Sequence, residues 1–156
     1  MKLIRNIDQG KTDTLAGEVW FGLFDSYLQF IVDNAASLDY VEKCGVYLNE
    51  LSEVTVKSVC EASIRYCNDC LKALGYPTKT FSNYRDVLNL ITPATLIIPD
   101  PEQGDDPVIW MELNCEWELE HGMEWVIRRD GVMYVGSFDG TYPWGEIEKN
   151  VPGNYA

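Results

Sequence analysis

Positive charge is scarce in this sequence. Twelve Lys and Arg stand against 25 Asp and Glu in 156 residues, leaving a formal net charge of -13. The deficit is uneven. Residues 1–98 hold 12 acids and 9 bases, whereas residues 99–156 hold 13 acids and 3 bases, a balance of -10. Without clustered Lys and Arg the chain cannot grip a phosphate backbone, which excludes DNA and RNA as direct partners. An anionic membrane surface is excluded for the same reason. Long apolar runs are missing too: nothing approaches the roughly 18–20 residues of a membrane span. The N-terminal MKLIRNIDQGKTD lacks the apolar centre of a signal peptide. There is one histidine, His121, and no G-x-S-x-G, phosphate-binding Gly loop or H-E-x-x-H. Asp100 to Asp106 lacks the ligand offsets of a calcium loop. Five cysteines, an odd number with no secretion signal, favour reduced thiols and a cytoplasmic location. No metal and no cofactor is expected.

What the sequence does contain is core. Hydrophobic residues make up 46% and aromatics 12%, too much for a disordered acidic tail. The length fits a single domain over residues 1–156. Val19 to Phe24 and Tyr27 to Val32 read as an N-terminal β-hairpin turning at Asp25-Ser26. Helical spacing follows. Ser37 caps a helix with the apolar face Tyr40, Val41, Cys44 and Leu48. Ser52 caps a longer one, whose stripe Val56, Cys60, Ile64, Cys67, Leu71 and Leu74 ends at Gly75 and Pro77. A third helix is expected after Ser82, with Tyr84, Val87, Leu88 and Ile91 inward and Pro93 as its stop. Period two then returns. Thr95 to Ile98 is a short strand. In Val108 to Asn114, Ile109, Met111 and Leu113 face away from Val108, Trp110 and Glu112. Trp125 to Arg128 and Val132 to Val135 flank Asp130-Gly131, a hairpin signal. Phe138 to Ala156 reads as an irregular but packed tail. Strands, then helices, then strands imply an α+β fold with one mainly antiparallel sheet packed on two to three central helices.

Two segments carry possible chemistry. Cys67-Asn-Asp-Cys70 has the spacing of a zinc or redox pair, but zinc needs about two further ligands. The pair also lies near a helix end, where the dipole raises a thiol pKa rather than lowering it. Packing is therefore the first reading of these cysteines. The second segment runs from Glu112 to Trp125 and contains Glu112, Glu116, Glu118, Glu120 and Glu124. If it is extended, Glu116, Glu118 and Glu120 share one face, about 7 Å apart, with Trp117 and Leu119 opposite. Such a row is a solvated strand face, a surface for a basic macromolecule, or a cation or carboxylate site. Glu120 and His121 are adjacent and so point to opposite faces of a strand, which weakens them as a proton-transfer pair.

Three stretches together, Cys60-Glu-Ala-Ser-Ile-Arg-Tyr-Cys67, Trp117-Glu-Leu-Glu-His-Gly-Met-Glu-Trp-Val126 and Tyr134-Val-Gly-Ser-Phe-Asp-Gly140, resemble a domain-of-unknown-function group of small bacterial proteins. The resemblance covers roughly residues 40–156. It implies a small, acidic, cytoplasmic α+β protein, similar to immunity proteins against bacterial toxins, and it brings no catalytic residues. The functional expectation is a non-catalytic protein that binds a basic toxin domain, for example a nuclease. The expected contact residues are Glu112, Glu116, Trp117, Glu118, Glu120, His121, Glu124 and Trp125. The alternatives are a metal-dependent or carboxylate-using enzyme and a housekeeping adaptor.

Overall fold

The computed structural model describes residues 1–8 and 14–156. Residues 9–13, part of the stretch expected not to be a signal peptide, lie outside the described residues. Seven strands form one sheet in chain order: β1 (Ile4–Asp8), β2 (Ala16–Phe21), β3 (Ser26–Val32), β4 (Ile91–Ile98), β5 (Val108–Cys115), β6 (Glu118–Arg128) and β7 (Gly131–Gly136). Every neighbouring pair is antiparallel except β3 and β4, which run parallel. The connection between those two holds the helices α1 (Leu38–Asn49), α2 (Glu53–Ala73) and α3, a 3-10 helix over Tyr84–Leu90. The architecture is therefore α+β with a mostly antiparallel open sheet. Among the described residues no helix is long and apolar enough to cross a membrane.

The helix caps follow the sequence signals. Ser37 Oγ accepts from Tyr40 N and Ser52 Oγ from Thr55 N. At the other end of α2, Gly75 has φ +79, its N–H bonds to Lys72 O, and Tyr76 N–H bonds to Leu71 O. That pair of bonds is a Schellman ending, and it folds Tyr76 back toward Leu71.

Several boundaries differ from expectation, each for a local reason. β1 was not anticipated, because Ile-Arg-Asn-Ile-Asp buries only Ile4. Gly22–Phe24 is a 3-10 turn instead of strand, with Asp25 left-handed at φ +50, so the expected Asp25-Ser26 turn starts three residues earlier. The third helix is capped by Asn83 and stops at Leu90. Pro93 lies inside β4 beside a register shift, the kind of irregularity at which a strand tolerates proline. In the β6–β7 hairpin, Arg128 pairs with Gly131 and the two loop residues Arg129 and Asp130 have φ +51 and +61. Positive φ at both positions is the type I′ pattern, one residue earlier than Asp130-Gly131.

The core lies between the helices and one sheet face. Ile109, Met111 and Leu113 on β5 face Ile127, Trp125 and Met123 on β6, all fully buried. Cys44, Cys60 and Cys67 join them from the helices. The opposite sheet face carries a smaller cluster of Ile97, Trp110 and Val126, covered by Phe138 and Ile147 of the tail. Three polar side chains of α2 meet the length of β6 and its turn: Thr55 Oγ1 donates to Asp130 O, Trp125 Nε1 donates to Ser63 Oγ, and the Tyr66 hydroxyl donates to Gly122 O. These bonds fix the helix along the strand.

All five cysteines are free. Burial pushes the thiols of Cys60 and Cys115 up to about 12 and that of Cys67 up to about 11. Their folded-state values exceed the roughly 8.5 of an exposed thiol. The stability that neutral thiols contribute is therefore complete below about pH 8.5 and is lost as pH rises toward 12. Urea midpoints measured from pH 8 to 10.5 will fall, and Cys60→Ala with Cys115→Ala will flatten the fall while lowering the midpoint at pH 8.

Candidate functional site

The site is built on an irregularity in the β5–β6 pair. Leu113 pairs with Met123 and Cys115 pairs with Glu118. Between these pairs β5 advances two residues and β6 advances five, so three residues of β6 have no counterpart and bulge outward. Gly122 makes the bulge possible. Its φ is +65, and a Cβ there would lie 2.7 Å from Leu113 O. Tyr66 anchors the same residue from α2, its hydroxyl 2.9 Å from Gly122 O.

Glu118 stitches the bulge shut. Its carboxylate accepts from Glu120 N at 3.2 Å, His121 N at 2.9 Å and His121 Nδ1 at 2.8 Å. The acid beside the histidine is therefore Glu118 and not Glu120. Two backbone donors and the ring occupy Glu118, which gives it a shape-holding role. Glu116 and Trp117 form the turn between the strands. The expected row of three carboxylates on one extended face is thus broken: Glu116 lies in the turn, Glu118 folds inward, and Glu120 stands on the bulge. Leu119, expected on the face opposite that row, stands on the bulge and is 86% exposed.

Other expected contact residues leave this surface. Glu124 is fully buried on the tail-covered sheet face, where it accepts from Trp110 Nε1 at 2.9 Å and from Thr141 N at 3.1 Å. Glu112, directly across from it, is half-buried. Trp125 is buried in the helix-side core, with its indole N–H on Ser63. Trp144 is also buried, with its N–H on Asp100 O. Glu124, Trp125 and Trp144 are buried, and Glu112 is only partly exposed.

The remaining residues do meet. Glu116, Trp117, Glu118, Leu119 and Glu120 form one wall of a cleft of about 680 Å³, and the end of α2 with Tyr76 forms the other. Trp117 is 7% exposed and packs edge-on against Tyr66, ring centroids 5.8 Å apart. His121 stands exposed beside Glu118. Leu74 and Tyr76 were missed as site residues. Leu74 reads as the last position of a buried stripe, but it falls at the C-cap, where the chain leaves the helix and the side chain turns to water.

The cysteine pair borders this cleft through Cys70. Burial raises the thiols of both Cys67 and Cys70, the opposite of what an activated thiolate needs. Among the described residues no group of three or more His, Cys, Asp or Glu is placed to hold a metal ion. The arrangement offers apolar contact, free carboxylates and hydrogen bonding at its rim.

Three substitutions separate the acid that holds the bulge from the buried one. Glu118→Ala releases the Glu120 and His121 amides, and hydrogen exchange at both will speed by about tenfold while core amides keep their protection. Glu124→Leu strands the Trp110 and Thr141 N–H groups and will cost about 2–4 kcal/mol in urea unfolding. Glu124→Gln keeps an acceptor and will cost less.

Comparison with known proteins adds one match. No curated protein and no solved structure matches the chain. A family model matches residues 6–143, which starts earlier and ends sooner than the stretch 40–156 over which the resemblance was read. It covers all seven strands but β1's first residues, all the helices and the whole bulge, so the chain belongs to the family described as Domain of unknown function (DUF6985).

Proposed function

We propose that this chain is a non-catalytic binding protein of the bacterial cytoplasm, most concretely an immunity protein that neutralises a toxin by covering its basic surface. The observation that carries this reading is the pairing of free carboxylates with exposed apolar surface at the β5–β6 bulge. Glu116 and Glu120 are exposed, and among the described residues no Lys or Arg forms an ion pair with either. They belong to a segment with a balance of -10. Uncompensated charge of one sign raises the rate at which an oppositely charged partner arrives. Apolar side chains beside it supply contacts that slow departure. A nuclease toxin fits, because its cleft must be cationic to hold phosphates. The enzyme reading draws on the Glu118–His121 contact at 2.8 Å, but the same carboxylate is held by two backbone N–H groups.

The test is Glu116→Lys with Glu120→Lys, assayed against the product of a neighbouring toxin gene. Association will slow by about tenfold or more at low salt, with a weaker dependence on ionic strength. Unchanged association together with unchanged protection of toxin-exposed cells would remove this surface as the interface.

A further inference from the structure

The cleft between the end of α2 and the bulge combines an apolar interior with an acidic rim, and among the described residues no Lys or Arg lines it. Three large apolar side chains surround it with most of their area in water: Leu119 is 86% exposed, Leu74 66% and Tyr76 62%. Scattered exposed leucines are ordinary, but a group of them around one concavity marks an interaction site. A separate observation points to a missing hydrogen-bond acceptor. The indole N–H groups of the buried Trp110, Trp125 and Trp144 donate to Glu124, Ser63 and Asp100. Trp117, equally buried and lining the cleft, has an Nε1 with no acceptor among the described residues. A buried donor left unpaired is costly, so an acceptor brought by an occupant lowers the free energy of the bound state.

We infer that this cleft receives a segment of a partner protein in which one large apolar side chain is flanked by Lys or Arg. The apolar side chain enters between Leu74 and Leu119. The cations meet Glu116 and Glu120 and are further favoured by the negative end of the α2 dipole. As the bulge adjusts, a backbone carbonyl of the segment accepts from Trp117 Nε1. Charge selects this occupant over two others. A second copy of the chain would bring like-charged rims together, and an anionic membrane would meet carboxylates. The inference rests on the binding-protein reading above and narrows it to one cleft and one kind of segment.

The experiment uses the full chain and a phage-displayed library of random peptides, selected at low salt and counter-selected on a Leu74→Ser, Leu119→Ser variant. Both leucines are exposed, and circular dichroism confirms that the variant is folded. Selected peptides will carry an aliphatic or aromatic residue next to Lys or Arg. The double Ser variant will weaken their binding by about tenfold or more, and Glu116→Gln with Glu120→Gln will weaken it and reduce its salt dependence. In ¹⁵N–¹H spectra the Trp117 indole signal, assigned by Trp117→Phe, will move downfield on peptide addition. Peptides lacking basic residues, no enrichment over the variant, or an unmoved Trp117 signal would each overturn the assignment. So would a dimer in sedimentation that the Ser substitutions dissolve, since the occupant would then be a second copy. The two readings fail separately. If charge reversal abolishes toxin binding and the Ser variant does not affect it, the acidic surface stands and the cleft falls. If the Ser variant alone abolishes it, the cleft stands without the steering charge.

Discussion

The mismatch of three residues between β5 and β6 is the constraint from which the site follows. A regular ladder would have placed Glu118, Glu120 and Gly122 on one face and hidden Leu119 against the sheet. The surplus residues have no partners on β5, so they leave the ladder as a bulge. Gly122 supplies the left-handed backbone, Tyr66 holds its carbonyl from the helix, and Glu118 gathers the loose amides. With those three fixed, the exposure of Leu119, the free carboxylate of Glu120 and the closeness of the bulge to the end of α2 all follow.

The same constraint reassigns the charge. Carboxylates that read as one continuous strand face end in three environments. Glu124 anchors the tail from inside the protein, Glu118 holds a loop together, and Glu116 and Glu120 remain for solvent or a partner. The dense acidity of the segment is therefore only partly surface charge. Glu124 shows how a buried carboxylate is tolerated: an indole N–H and backbone N–H groups of residues 139 and 141 surround it, as buried acids require.

Much of the fold was legible from periodicity. The stripe of α1, the Val56, Cys60 and Cys67 positions of the α2 stripe and the alternation of Ile109, Met111 and Leu113 against Trp110 and Glu112 match the buried faces, because apolar spacing reports burial directly. What escaped the sequence was register. Nothing in Glu-Trp-Glu-Leu-Glu-His-Gly says whether its alternation continues as a strand or breaks at a turn, because pairing partners decide that. β1 was hidden for a related reason, since an edge strand with one buried residue has almost no pattern. Of the site, the acidic residues were visible and their apolar neighbours were not. Leu74 and Tyr76 come from a helix end some 40 residues upstream, and only the packing of α2 along β6 brings them there.

The single parallel joint in the sheet has a consequence for assembly. Gln29 on β3 pairs with Thr95 on β4 across the connection that holds α1, α2 and α3, whereas every other pairing joins strands linked by a much shorter stretch of chain. Closing a loop of that size costs about 2.5 kcal/mol more entropy than closing a four-residue turn. The meander β4–β7 and the smaller unit β1–β3 can each form from nearby residues, whereas their junction must wait until α1 and α2 fill the space between them. The rate at which the whole sheet appears is therefore set in its middle, at the seam between two locally assembled halves, with the helices acting as the closing spacer.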